Sequence, residues 1–492
     1  MPLKLDVLIG SIVFVIVLSV ISGILVLRRG RGVSGDSYLY GDKKIGPWYA
    51  GVTLGLSSIG ALHCTGFMES GATLGIVTMW FAVGTGIMFA VVGGFFGPIY
   101  RKLGLNTIPQ IFANIFDLKT RVMSSIIALV FCFSLLSLET QGGAIIITAI
   151  TGIDLRVALF IFMICALVYM LISGMWQIAY VNIINAIVMY AAVIIAFIIV
   201  TLKLPAGWSG VDAFYIGQGL GNVLEFWPSD VNVLLGFAIA FGFAVTFTDS
   251  TDQGTIQYAL TAADAKTASK AGFIAVLVNS PFAIFTVAFG LASFSIAEFS
   301  AFGPKMSGPA MLLSYLPTFL VVFVLGSFLL VVFSTFARCT MAISQIIIND
   351  VYLLLTKADD SQKQRTVPWL SRILIIVAGV GSVIPAYFLP HILLAGIFVF
   401  TLGIPLFIMM VSGLFWKRNS DAAFITMVVG IIVTFVWEYS GLATLLGTPG
   451  WFNSVYMTLF VSVILGVGLT ALLPGKPGLL RKKRVDAVTE SV

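Results

Sequence analysis

Apolar residues run through this chain in long blocks rather than at helical or strand intervals. Thirteen blocks stand out: 6–27, 47–68, 74–97, 122–150, 157–175, 178–202, 233–250, 271–297, 317–354, 373–389, 391–415, 421–440 and 451–474. A helix rising about 1.5 Å per residue needs roughly this length to cross hydrocarbon about 30 Å thick. The pattern predicts an all-α polytopic membrane protein. A membrane β-barrel would need short alternating segments, and the chain has none of that rhythm. The ninth block is longer than a bilayer requires, so it is expected to tilt or to project into the cytoplasm. The first block is too long for a signal-peptide core and is followed by no small-residue cleavage site, so it is expected to remain as a helix.

Composition agrees with the pattern. Of 492 residues, 59% are hydrophobic and only 10% charged, and the mean hydropathy is +1.07. So few charges could not cover a soluble body of this size. Residues 1–474 read as one transmembrane domain and 475–492 as a short basic cytoplasmic tail. An odd number of spans puts the termini on opposite sides. With the N-terminus outside, twenty-two Lys and Arg fall in inner segments, from Arg28, Arg29, Arg31, Lys43 and Lys44 to the tail; four fall outside, and Arg338 alone stays within a span. That bias follows the positive-inside rule. It also assigns the net charge of +6 to the anionic inner leaflet. The expected surroundings are the lipid bilayer of the cell membrane, with no nucleic acid. The four cysteines, Cys64, Cys132, Cys165 and Cys339, all lie within spans at spacings that match no metal motif, and read as small apolar filler. No hydrolase triad, phosphate loop or paired-histidine metal site is visible, which argues against an enzyme.

Two polar interruptions stand out. The first is "GLSSIGALHCTGFMESGATLG", residues 55–75, where Gly60, Gly66, Gly71 and Gly75 surround His63. Glycines alone are explained by close helix packing. An ionisable ring among them points instead to a helix broken beside a polar cavity. Broken membrane helices hold cations on freed carbonyls and substrate at the half-helix ends. The second is "FSTFARCTMAISQIIINDVY", residues 333–352, with adjacent hydroxyls at Ser334 and Thr335. These could bond back to the preceding turn. With carbonyls from another helix they would also suit a hard cation such as sodium.

Several stretches together resemble the sodium:solute symporter family, the group of the bacterial proline, sialic acid and galactose transporters. They are "DSYLYGDKKIGPWYAG" (36–51), "GFMESGATLGI" (66–76), "SGMWQIAYVNIINAIVMY" (173–190), "TDSTDQGTIQYALTAADAKTASKAG" (248–272) and the 333–352 segment. The resemblance spans about residues 10–430. It implies a LeuT-type fold of two inverted five-helix repeats, 47–202 and 233–415, and a sodium-coupled importer of a small organic solute. It also implies a sodium site made by the carbonyls of Leu56, Ile59 and Val331 and the hydroxyls of Ser334 and Thr335. His63, Phe67, Phe81, Thr85, Phe243 and Thr246 fall at or near the family's substrate positions. An aromatic pocket with one histidine suits a small carboxylate, an amino acid or a heterocycle.

The chain departs from the family at three places. The helix-6 "TD…Q" pattern appears as Val181, Asn182 and Asn185, so an aspartate tied to ion coupling is missing. Ala337 and Arg338 stand where some relatives hold a second sodium, which implies a single sodium here. Glu139 lies mid-span in "SLETQGG", and a buried carboxylate needs a partner or a proton. An ion pair between Arg338 and Glu139 is therefore expected. His63, Glu139 and the lost aspartate also keep open a proton-coupled or uncoupled transporter. A solute sensor that does not transport is the alternative from another class, and it is disfavoured by the short tail.

Overall fold

The computed structural model describes residues 3–28, 44–172, 175–356, 360–389 and 391–481. Arg29, Arg31, Lys43, Lys357 and the tail beyond 481 lie outside the described residues, as do parts of the 36–51 and 173–190 stretches. Among the described residues, eleven helices are long and apolar enough to cross a membrane. They are α1 (Leu5–Arg28), α4 (Gly75–Leu103), α5 (Leu118–Thr151), α7 (Met175–Lys203), α8 (Val231–Ser250) and α10 (Ala265–Phe294). Then come α11 (Thr318–Thr356), α12 (Asp360–Phe388), α13 (Ile392–Trp416), α14 (Ser420–Tyr439) and α15 (Ser454–Leu472). The fifth expected block falls on a shorter helix, α6 (Leu155–Ile172). The second falls on two half-helices, α2 (Pro47–Ser57) and α3 (Phe67–Thr73). A further short helix, α9 (Gln253–Thr261), follows α8 after a two-residue break.

Burial sorts these elements. The apolar window of α11 is 83% buried, that of α1 22%. The ninth block is thus the central column, and α1 presents most of its apolar surface outward, Ile9, Ile12 and Ile16 among it. In a bilayer such a face meets lipid and carries no penalty. The two half-helices lie along α10, α2 on its first half and α3 on its second, while α5 packs on α11. Close contact between α2 and α10 depends on glycine: a Cβ at Gly51 would stand 2.8 Å from the Ala271 carbonyl.

Local signals set the ends. Asp117 caps α5 through the Thr120 amide at 3.0 Å, and the Thr120 hydroxyl accepts from the Asp117 amide at 3.2 Å, a reciprocal capping box. Gly152 ends α5 in the left-handed region at φ 71°. Asp252 caps α9 by accepting from the Thr255 amide at 3.0 Å, and Asp264 caps α10 by accepting from Thr267 at 2.7 Å. Those backbone bonds hold the exposed Asp264 carboxyl below the ordinary aspartate range.

Candidate functional site

Within residues 55–75 the chain leaves helical geometry at Ser58–Gly60, and again only at the Leu74 turn that ends α3. It re-enters through a π-helical turn, Leu62–Gly66, that runs straight into α3. A one-turn break exposes few backbone groups, and the side chains around it meet them. Thr335 donates to the Ser57 carbonyl at 2.8 Å and to the Val331 carbonyl at 3.1 Å. The Ser334 and Ser57 hydroxyls meet at 3.0 Å, and the Asn182 amide donates to both at 3.0 Å. The Leu56 carbonyl accepts from the Ile59 amide at 2.9 Å, closing the last turn of α2. The five residues of the expected sodium set thus meet where α2 breaks against α11. Sequence reasoning missed Ser57 and the bridging role of Asn182. The "LSS" doublet was a signal for the first. Asn182 was read only as a lost aspartate.

Arg338 takes different partners from those expected. Its Nη2 lies 2.5 Å from Asp252 Oδ2 and 3.8 Å from Asp249 Oδ1, and its Nη1 donates to Ser58 Oγ at 2.7 Å. Glu139 instead accepts from the Ala61 amide at 2.8 Å. The expected Arg338–Glu139 ion pair is replaced, and the cause is the fold of residues 248–262. Their polar sequence reads as a loop, yet the whole of α9 is buried. It carries Asp252 back under α11, so two nearer carboxylates reach the guanidinium first. All four ionic groups are at least 96% buried.

Above this cluster lies a cavity of about 20 Å³, room for about one water molecule. His63, Phe81, Thr85, Glu139, Asp249 and Arg338 are on its wall. His63 is 2% exposed, and neither ring nitrogen makes a hydrogen bond. Its ring packs 4.7 Å from that of Phe67 and 5.1 Å from that of Phe81. Asn279 approaches it, but donates to the Gly55 carbonyl at 3.0 Å. Thr85 bonds back to Phe81 at 2.9 Å, and Thr246 donates across to the Gly84 carbonyl at 3.2 Å, tying α8 to α4. Phe243 does not join this group. It is 39% exposed and stacks on Phe247. Phe241 holds the inward position, 4.6 Å from Phe81. Positions two apart on a helix point about 200° apart, so the two rings cannot share the cavity face.

The family model described as the sodium:solute symporter family matches residues 38–430. The chain belongs to the sodium:solute symporter family. Among curated relatives, solute carrier family 5 member 4 of Rattus norvegicus is 31% identical over 187 residues, 37% of this chain and 27% of that protein. Sodium/glucose cotransporter 1 of Ovis aries is 30% identical over 187 residues, covering 37% of this chain and 28% of the relative. The matched region therefore spans about a quarter of the length of those relatives. A solved Na+-coupled sialic acid symporter, substrate-bound and outward-open, superposes with a TM-score of 0.78 at 17% identity, covering 96% of this chain and 98% of that one. A nucleobase-cation-symport-1 family transporter in a closed conformation gives 0.59 at 12% identity, covering 89% and 95%. At these identities the likeness is one of fold, the LeuT fold.

Proposed function

We propose that the chain is a sodium-coupled symporter that carries a small organic solute into the cell by alternating access. The observation that carries this reading is the meeting of a broken helix with paired hydroxyls. Freed backbone at α2 and the Ser334 and Thr335 oxygens of α11 converge in a buried place, beside a cavity with unpartnered polar atoms. Irregular backbone in a bilayer survives where it serves a cavity. The reading takes thirteen spans, counting α6 and the broken second helix, with the N-terminus outside, the C-terminus inside and repeats at 47–202 and 233–415. Arg338 supplies a fixed charge near the place of a second sodium, which supports coupling to one. The matching test is uptake into proteoliposomes, with and without an inward sodium gradient, across a library of small solutes. Sodium-independent uptake of every transported solute would reject the coupling.

On this reading, polar ties flank the cavity on both sides. On the cytoplasmic side stands the Arg338 cluster. On the outer side Glu69 of α3 accepts from His391 Nδ1 at 2.8 Å and from the Ile392 amide at 3.3 Å at the start of α13. Trp80 donates to the Phe226 carbonyl at 2.6 Å beside it. Lys305 also faces Glu69; burial holds it below the usual lysine range, the Glu69 charge pulling the other way. Glu69→Gln weakens this tie, so a cysteine placed at Thr85 reacts faster with an external thiol reagent than in the parent carrying the same cysteine. Equal labelling rates would exclude an outer latch here.

The two phenylalanines give a second test. Phe241→Ala removes the ring that backs Phe81 on the cavity wall and lowers solute affinity by about tenfold or more, on the scale of a large buried side chain lost beside a binding wall. Phe243→Ala leaves uptake within about twofold, as a change on an outward face should. Uptake titrations of both variants decide it, and the reverse ranking would return the site to Phe243.

A further inference from the structure

The half-helix that follows the break begins at Ala61, and its first amides have no partners within the helix. In broken-helix transporters such an N-terminus receives an anionic group of the substrate. Here the place is taken. Glu139 reaches across from α5, and its Oε2 accepts from the Ala61 amide at 2.8 Å. Two glycines admit it. A Cβ at Gly60 would lie 2.6 Å from the Glu139 carboxyl carbon, and one at Gly142, a turn along α5, would lie 3.0 Å from the Ala61 Cα. The carboxylate is 1% exposed, yet it is part of the cavity wall.

Charge then has to balance in a buried place. The buried ionic groups around the cavity are Glu139, Asp249, Asp252 and Arg338. Arg338 answers Asp252 at 2.5 Å. Asp249 Oδ1 makes no hydrogen bond, and its distance to the guanidinium is 3.8 Å. His63 adds no counter-charge: with no acceptor at either ring nitrogen it packs as one more aromatic ring. Two carboxylates are left over. One sodium ion, held by neutral oxygens of α2 and α11, matches one of them. The second is met by a proton or by another cation, since an unpaired charge at this depth is costly. The cavity wall suits one. Phe81 and Phe400, both on the cavity wall, pack edge to face on each other at 5.7 Å between ring centres, and an aromatic ring face attracts an ammonium group.

We propose that the solute is a small organic cation whose ammonium group sits against Glu139. The assignment rests on reading this cavity as the solute site of a sodium-coupled symporter. A carboxylate solute would meet Glu139 where its own anion should bind.

The test uses the purified full chain and two matched trios: choline, 3,3-dimethylbutan-1-ol and 3,3-dimethylbutanoate; and ethylammonium, ethanol and acetate. Each solute is scored by the rise in unfolding temperature in sodium buffer, then by uptake into proteoliposomes under a sodium gradient. The cation of a trio is expected to stabilise and to be taken up, and its neutral and anionic counterparts are not. Glu139→Gln is expected to weaken cation binding at least about tenfold while keeping the stabilisation given by sodium alone; Glu139→Asp keeps part of it. The comparison within each trio needs no variant, so a Gln variant that fails to fold does not spoil it. Sodium-driven uptake of a neutral or anionic member overturns the cation assignment and leaves symport standing. A proton held on Glu139 in place of the ammonium would give that neutral uptake. Cation uptake that ignores sodium overturns symport and leaves the role of Glu139 standing. No response to either cation, or full cation binding by Glu139→Gln, overturns the assignment as well.

Discussion

Arg338→Met lowers the free energy of unfolding by roughly 3–5 kcal/mol. The guanidinium is buried and gives its charge to Asp252 at 2.5 Å and Asp249 at 3.8 Å, with Ser58 as a third partner. Methionine of similar length fills the space but strands the two carboxylates in low dielectric. The cost comes from that stranding more than from the lost pair, so it should shrink when a carboxylate is removed too. Asp252→Asn is the right companion. Asparagine caps a helix as well as aspartate, so α9 keeps its Thr255 cap while the charge goes. The double variant should then lose less than the two single losses combined. Arg338→Met with Glu139→Gln should come close to additive, because those two groups keep separate partners. Denaturant unfolding in detergent micelles measures the parent, the three single variants and the two doubles. An Arg338→Met loss below about 1 kcal/mol, the scale of an exposed pair, would mean that water reaches the guanidinium. Strong coupling to Glu139 would restore the pairing expected from sequence.

The route to that correction shows where the sequence is readable. Long apolar runs mark helices because hydrocarbon leaves a backbone few other solutions, and every expected block falls on helical structure. The break was legible as a neighbourhood, from Gly60 and His63, since glycine and an ionisable ring in one span are costly without a purpose. Its limits were not. Glycines scattered over 55–75 serve packing as well as unwinding, and before the Leu74 turn at the end of α3 only Ser58–Gly60 leave the helix. The partners of Arg338 were hidden for a different reason. "TDSTDQGT" is polar enough to read as a surface loop, and nothing local says that α9 folds back under α11. Burial of that segment is repaid by specific bonds from far along the chain, such as Gln253 Oε1 accepting from the Ile108 amide at 2.9 Å. The choice between Phe241 and Phe243 failed on phase. Helix α8 opens with a π-helical turn, Leu234–Ile239, which shifts the later residues around the axis, and 40 phenylalanines offer no contrast.

Ser334→Ala combined with Thr335→Ala raises the sodium concentration needed for half-maximal uptake by about a hundredfold or more. Each hydroxyl is expected to give an oxygen to the ion. Contacts to a charged group are worth roughly 1.5–3 kcal/mol apiece, and about 1.4 kcal/mol is a factor of ten. Folding should suffer as well, by up to about 4 kcal/mol, so the sodium requirement is read apart from stability. Thr335 loses its bonds to the Ser57 and Val331 carbonyls, and Ser334 loses its meeting with Ser57 and Asn182. These are neutral hydrogen bonds of about 1 kcal/mol each, and small side chains replace small side chains. The raised sodium requirement is therefore the signature. A purely structural pair of hydroxyls, bonded back along α11 and across to α2, would show a lowered unfolding temperature with an unchanged sodium requirement. Two measurements on the same preparation settle it, uptake against sodium concentration and thermal unfolding with sodium replaced by choline-free potassium buffer. Wild-type protein should gain thermal stability from sodium, and the double variant should gain almost none. Sodium stabilisation that survives in the double variant would move the ion away from α11 and leave the α2 break to the solute alone.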